Sequence, residues 1–272
     1  LELKDVLPRF TEEAITVIKE HRQESSKKPL FLYLAYPAPH TPWLPSEEFL
    51  GKSGAGMYGE FTMMVDHMVG RVLTALDEAN MTDETLVIFS SDNGPVWYEH
   101  DVERFDHDSS GGLRGMKADA WECGHRMPFI ARWPGTVTAG SVDHRIICFT
   151  DLMATFADLI GAELPEKAGP DSISFYKTLI GQTDASRPAL VIQSGSGAMT
   201  VRQGSWKLIT QLGSGGFSKP SRVKPGPGEP IGQLYNLKQD AGETRNLYNE
   251  EPGIVAKLSA ELKRIQNSGG SR

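Results

Sequence analysis

The stretch TLVIFSSDNGP, residues 85–95, starts as a core strand and ends in a row of oxygen-bearing side chains. Its first half is β-branched and aromatic, the composition of a buried strand. Its second half has two readings. Asp, Asn and Gly tolerate left-handed backbone angles, so Asp92, Asn93 and Gly94 make an ordinary turn. Alternatively, Asp92 and Asn93 offer side-chain oxygens to a hard cation. The stretch alone leaves both readings open; its surroundings decide between them.

Upstream, Phe61, Met64, Val65, Met68, Val69, Val72, Leu73 and Leu76 recur at helical spacing, which predicts an amphipathic helix packed on a sheet. Before it, PLFLYLAY (residues 29–36) is a short continuous apolar run, the pattern of a strand buried on both faces. Strand, helix, strand is a βαβ unit, so the two strands are expected to lie parallel in one sheet. A first helix is expected over RFTEEAITVIKEHRQ, residues 9–23, capped by Thr11, with Phe10, Ala14 and Ile18 on one face. The prolines of PAPHTPWLP, residues 37–45, hold the next segment in a stiff loop around His40.

Residues 95–127 form a long polar stretch, and loops of that length inside compact domains are usually functional. PFIARWPG (128–135) reads as another strand. DLMATFADLIGAELP (151–165) reads as a helix capped by Thr150 or Asp151, with Leu152, Phe156, Leu159 and Ile160 inward. The character changes near residue 185. ALVIQS, MTVRQ, WKLIT and QLYNL are short strand-like runs with turn signals between them, followed by a helix over about residues 252–267 carrying Ile254, Val255, Leu258, Leu262 and Ile265. The insert GSGGFSKPSRVKPGPGEP, residues 213–230, is expected to be mobile or wrapped over the surface. The fold class is therefore α/β: a mostly parallel central sheet flanked by helices, with a small C-terminal antiparallel sheet packed by a helix. Residues 1–185 and 186–272 are the two expected domains.

Composition narrows the function. The 39% hydrophobic and 23% charged residues are those of an ordinary globular protein. A net charge of -7 without a Lys/Arg-rich block argues against a nucleic-acid partner, and no apolar run is long enough for a membrane span. Cys123 and Cys148 make neither a disulfide framework nor a thiolate zinc site.

Ligands of open α/β sheets bind at the carboxyl ends of the strands. His40 follows one expected strand and Asp92 and Asn93 follow another, which favours the ligand reading over a bare turn. Oxygen donors suit Ca²⁺, or Mg²⁺, and not zinc. Two side chains do not complete a shell of about six to eight oxygens, so further ligands are expected from elsewhere. Arg114, Lys117, His125 and Arg126 share the long loop, and cations gathered beside a metal favour an anionic substrate such as sulfate or phosphate. Arg114 and Arg126 read equally well as solvated loop charges.

FLYLAYPAPHTPW, TLVIFSSDNG, GGLRGMKADAWECGHRMPFIARWPG and SWKLI…QLYNLKQDAGETRNL, in this order, closely resemble the type I sulfatases, the arylsulfatase family of the alkaline phosphatase superfamily. The resemblance runs from about residue 29 to residue 247. It implies that Asp92 and Asn93 bind the active-site calcium. It implies that Lys117 contacts the sulfate and stabilises charge on the leaving oxygen, and that His40 donates a proton to the leaving group. Physically these roles fit. Arg104 and His107, in the polar loop, and Arg114 are the expected substrate-binding side chains, for a sulfated carbohydrate or an aryl sulfate. Cys123 stands where the family often has Gly and is read as a tolerated substitution.

The family's nucleophile is a formylglycine made from a Cys or Ser in C/S-x-P-x-R, accompanied by paired metal-binding aspartates. Neither cysteine has that context. SKPSR, Ser218 to Arg222, matches the spacing, but it follows the metal motif and lacks a supporting helix, so it is read as a false match. The chain therefore resembles the C-terminal part of a sulfatase, with residues 1–185 as the C-terminal part of the catalytic domain and residues 186–272 as a small α+β subdomain. Formylglycine is expected in an N-terminal segment not present in this chain, which alone is expected to be inactive and to have that segment as a partner. The resemblance also implies a periplasmic, secreted or lysosomal setting. Two alternatives stand beside it: a metal-dependent phosphoryl-transfer enzyme of the same superfamily, carrying two zinc ions, and a truncated, non-catalytic binding protein.

Overall fold

The computed structural model describes residues 2–24, 28–182 and 187–272. The domain boundary expected near residue 185 lies outside the described residues. The chain is mixed α/β and divides into two compact units, one of residues 1–87, 98–107 and 133–135, the other of residues 88–97, 108–132 and 136–272.

The first unit is built on α1 (Val6–Gln23) and α2 (Gly56–Glu78). The buried face of α1 is Leu7, Thr11, Ala14 and Ile18. Ala14 and Ile18 are as expected, but Phe10 is 39% exposed and Thr11 lies inside the helix. Instead of capping, Thr11 donates its hydroxyl back to the Leu7 carbonyl and pairs with the Tyr36 hydroxyl, which satisfies a polar group at a fully buried position. The apolar stripe read for α2 holds, but it packs chiefly on α1 and not on a sheet: Phe61, Met64, Val65 and Met68 join Leu7 and Phe49, while Leu76 joins Ile18, Ala75 and Ala79.

Residues 29–36 differ from expectation, because among the described residues they enter no β ladder. Leu30 and Tyr36 pack against the two helical clusters, whereas Phe31 is 74% and Tyr33 82% exposed. One face of the run is covered, not both. A strand is defined by its neighbour's hydrogen bonds, and an apolar run cannot supply them by itself.

β1 (Val87–Ser90) pairs with β2 (Phe129–Arg132), and Asp92 and Asn93 follow β1 directly, as read from sequence. A short α3 (Glu99–Phe105) interrupts the polar stretch. α4 (Asp151–Leu159) buries Asp151, Ala154, Thr155 and Ala157, whereas Ile160 is 69% exposed. Its polar face is the inner one, since the Ala154 amide donates to Ser172 and the Thr155 hydroxyl accepts from the Phe175 amide. Neither expected cap acts as one: Thr150 makes no capping bond, and Asp151 accepts from the Cys148 and Ile173 amides and pairs with Arg187.

After a short α5 (Tyr176–Leu179), the C-terminal sheet follows the sequence reading closely. β3 (Leu190–Gln193), β4 (Met199–Gln203), β5 (Trp206–Ile209) and β6 (Gln233–Asn236) form an antiparallel meander, ordered as in the chain. Residues opposite one another, such as Val201 and Leu208, then Leu208 and Leu234, line one covered face. α6 (Pro252–Ser268) closes it with Leu258, Leu262 and Ile265. The 213–230 insert wraps the surface: Ser214 and Gly215 amides donate to the Pro220 and Ser221 carbonyls, and Leu212 bridges to Val223. Among the described residues no helix is long and apolar enough to cross a membrane.

Candidate active site

The site in the second unit is assembled by hydrogen bonds between two backbone segments. Residues 91–95 leave β1, and the Gly94 amide donates to the Gly124 carbonyl at 3.1 Å. One residue on, the Pro95 carbonyl accepts from the Lys117 amide at 2.8 Å. The approach is so close that a Cβ on Gly94 would lie 1.6 Å from the Cys123 carbonyl oxygen. Glycine is therefore required here for space, whatever the turn chemistry. These contacts bring Asp92, Asn93 and Lys117 onto one pair of adjoining segments.

Within the turn, Ser91 donates its hydroxyl to the Asn93 carbonyl, and Asn93 Nδ2 donates to the Gly94 carbonyl at 2.9 Å. With its amide nitrogen so engaged, Asn93 keeps Oδ1 as an acceptor. Asp92 is exposed; Asn93 and Lys117 are half-buried. A carboxylate and an amide oxygen fit a hard cation. Among the described residues no three His, Cys, Asp or Glu side chains come together as a metal site.

The Lys117 segment is held rigidly from behind. Asp119, 2% exposed, accepts from the Met116 amide through Oδ2 and from the Ser218 amide through Oδ1. Trp121 donates its indole N–H to Gln233, and Ala120 and Trp121 pack with Ala198, Ile209 and Tyr235 of the C-terminal sheet region. The guanidinium of Arg114 stacks 3.8 Å over Trp121 and donates to the Glu243 carbonyl at 2.6 Å and the Tyr235 hydroxyl at 3.3 Å.

Beneath lies a buried ion cluster. Lys207 places Nζ 3.1 Å from Glu122 and 2.9 Å from Glu243, with all three side chains no more than 2% exposed. Arg202 and Arg126 reach the second Glu122 oxygen at 3.1 and 3.4 Å. The Glu122 amide donates to Glu243 at 2.6 Å. Burial pushes the Glu122 carboxyl up, but Lys207, His125 and Arg202 together outweigh burial and hold it below the ordinary carboxylate value. Burial dominates at Glu243 and raises it. Burial, reinforced by Lys207, pushes the His125 imidazole down to about 4. Burial also raises the Cys123 thiol to about 11, with Asp108 and Asp119 adding to it, so this cysteine is an inert thiol.

His40, Arg104 and His107, also singled out from sequence, belong to the first unit. His40 is exposed on its proline-rich loop, with Nδ1 2.8 Å from the Thr41 carbonyl. Arg104 lies in the last turn of α3, its guanidinium 4.8 Å over Phe105, and His107 follows the helix, exposed. Ser218 to Arg222 carries no helix. Sequence reasoning missed Asp119, Glu122, Lys207 and Glu243. One signal was legible: Lys207 sits inside the apolar run of WKLIT, where a charge needs a buried partner.

The sulfatase family model matches residues 8–162. An N-acetylgalactosamine-6-O-sulfatase of Bacteroides thetaiotaomicron is 33% identical over 268 residues, covering 97% of this chain and 51% of that protein. Human arylsulfatase A is 32% identical over 255 residues, covering 88% of this chain and 48% of that protein. A solved structure described under glycosaminoglycan metabolism by Bacteroides thetaiotaomicron superposes with a TM-score of 0.86 at 32% identity, covering 98% of this chain and 55% of that one. The chain spans about half the length of the curated relatives it matches.

Proposed function

The chain belongs to the sulfatase family, and we propose that it contributes the calcium-side and leaving-group-side residues of an enzyme that hydrolyses sulfate esters of a carbohydrate. Asp92 Oδ and Asn93 Oδ1 would hold Ca²⁺, which supplies positive charge to the sulfate oxygens. The remaining oxygens of that shell, and the formylglycine nucleophile, would come from outside the described residues. Lys117 Nζ binds the sulfate and stabilises negative charge on the leaving oxygen as the S–O bond breaks. His40 gives that oxygen its proton. Arg114, with its guanidinium engaged by Trp121, Tyr235 and Glu243, fixes the Lys117 loop from behind. Arg104 and His107 are proposed for the sugar side. The same reading carries a periplasmic, secreted or lysosomal setting. The observation that carries the proposal is the double lacing of the Asp92–Asn93 turn onto the Lys117 loop, Gly94 to Gly124 and Lys117 to Pro95.

The test is sulfate release from N-acetylgalactosamine 6-sulfate, the ester named for the relative from Bacteroides thetaiotaomicron, by protein expressed from its whole reading frame. Calcium chelation is expected to abolish turnover. Lys117→Ala is expected to lower kcat by about 10²- to 10³-fold, the usual cost of removing one group that stabilises transition-state charge. Asp92→Ala and Asn93→Ala are expected to raise the calcium concentration needed for activity. Turnover of a phosphate ester with two bound zinc ions, and no sulfate release, would sink the proposal.

A further inference from the structure

We propose that Asp119 is a positioning residue: its carboxylate holds Ala118 in a left-handed backbone conformation and so fixes the main chain that carries the Lys117 side chain. The inference rests on the reading of Lys117 as a sulfate-binding residue. Lys117 is the second residue of a tight turn, closed by the Asp119 amide, which donates to the Met116 carbonyl at 3.0 Å. The third residue of that turn, Ala118, has a φ of 72°. A turn with positive φ at this position takes glycine by preference, because a Cβ there crowds the following carbonyl oxygen. The backbone next to Lys117 is therefore strained, and such a conformation persists only where its surroundings hold it.

Asp119 supplies most of that hold. Its Oδ2 reaches back across the turn to accept from the Met116 amide at 2.9 Å, which closes the turn a second time. Its Oδ1 accepts from the Ser218 amide at 3.1 Å and ties the turn to the 213–230 insert. The Ala118 carbonyl accepts from the Gly195 amide at 2.8 Å, which sets the direction of the strained peptide. Gly124 lies against the turn, where a Cβ would stand 2.4 Å from the Asp119 carbonyl oxygen and 2.8 Å from that of Met116. The Asp119 carboxylate is thus buried with both oxygens taken up by main-chain amides. A carboxylate is costly to keep out of water, and this one touches the backbone on both sides of Lys117. Since the Lys117 amide is itself bound to the Pro95 carbonyl, the Lys117 backbone has little freedom. A cation that meets charge developing on one oxygen needs such a base, because a misplacement of about 1 Å costs about 10²-fold in rate.

The experiment is a double-mutant cycle between Lys117 and Asp119, read as sulfate release from N-acetylgalactosamine 6-sulfate by protein expressed from its whole reading frame. Asparagine has the shape of aspartate but one oxygen and one NH₂ group, so Asp119→Asn deprives one of the two amides of its acceptor. It is expected to lower kcat about tenfold or more, with KM within about threefold of wild type. In the Lys117→Ala background the same change is expected to alter kcat by less than about twofold, because a residue that acts through Lys117 has nothing left to position. Ala118→Gly added to Asp119→Asn is expected to bring kcat back to within about threefold of wild type, since glycine adopts the left-handed conformation unaided. If Asp119→Asn does not fold, Asp119→Ser, whose hydroxyl keeps one acceptor, takes its place in the cycle with the same expectations. An equal loss in the Lys117→Ala background would show a structural role alone and overturn the assignment. So would an unchanged kcat in Asp119→Asn, or no recovery with Ala118→Gly. An unchanged kcat in Lys117→Ala itself would overturn the reading of Lys117, and the Asp119 assignment with it.

Discussion

Gly94 carries more of the site than its size suggests. Asp92 and Asn93 were singled out because they follow an apolar strand, and strand ends are where ligands sit. Gly94 read only as a turn residue. Its real constraint is the Cys123 carbonyl, 1.6 Å from where a Cβ would lie, a long-range contact with no sequence signal. Gly94→Ala is expected to force the two segments apart, lowering stability by about 3 kcal/mol or more, at or beyond the upper end for overpacking a close contact. Urea denaturation would read it as a lower midpoint at unchanged slope. An unchanged midpoint would mean that the two segments move apart freely, and the lacing that positions Lys117 would lose its force. Arg114 shows the opposite limit: its type and place on a polar loop predicted a ligand contact, while its partners Tyr235 and Glu243 lie over a hundred residues away.

Elements were readable where their own runs and turn signals decide them. The four strands of the C-terminal sheet stand out as short apolar runs between turns and α6 as an apolar stripe at helical spacing, although the sheet is covered on both faces, by α6 over Leu208 and Leu234 and by Ala120 and Trp121 over Ile209 and Tyr235. α4 fails the same test, since its inward face is Asp151, Ala154, Thr155 and Ala157 and its docking uses Ser172 and Phe175 amide chemistry. Residues 29–36 fail differently, because their strand character depends on hydrogen-bonding neighbours and not on their own composition. Leu258 tests the readable case. It is 1% exposed where α6 meets Val201, Leu208 and Leu234. Leu258→Ala is expected to cost about 2–5 kcal/mol, the range for a truncated core leucine. Thermal unfolding that leaves Tm unchanged would show that α6 does not hold the sheet.

At the scale of the whole molecule, the second unit is tied together by charge as well as by apolar packing. Glu122, His125, Arg202, Lys207 and Glu243 come from three distant stretches of chain and meet around three fully buried charges, Glu122, Lys207 and Glu243. Clusters of this kind are costly to break at one member, because the remaining charges stay buried. They also make stability depend on pH. His125 stands with Nε2 3.3 Å from the Lys207 ammonium and 3.3 Å from the Ala120 carbonyl, and its folded pKa falls to about 4. An unfolded histidine titrates near 6.5. Above that value neither state binds the proton, and the full stability is present. As pH falls from about 6.5 towards 4, the unfolded chain takes up a proton that the folded chain refuses, so stability drops, by about 3 kcal/mol in total from this group. Glu122, held low, works in the same direction at lower pH, while Glu243, held high, opposes it. The His125→Gln variant separates these contributions: its stability is expected to fall less steeply than that of wild type between about pH 6.5 and 4, with the two curves parallel above 6.5. Parallel curves through the acid range as well would show that His125 takes its proton in the folded state, and that the Lys207 cluster does not exclude it.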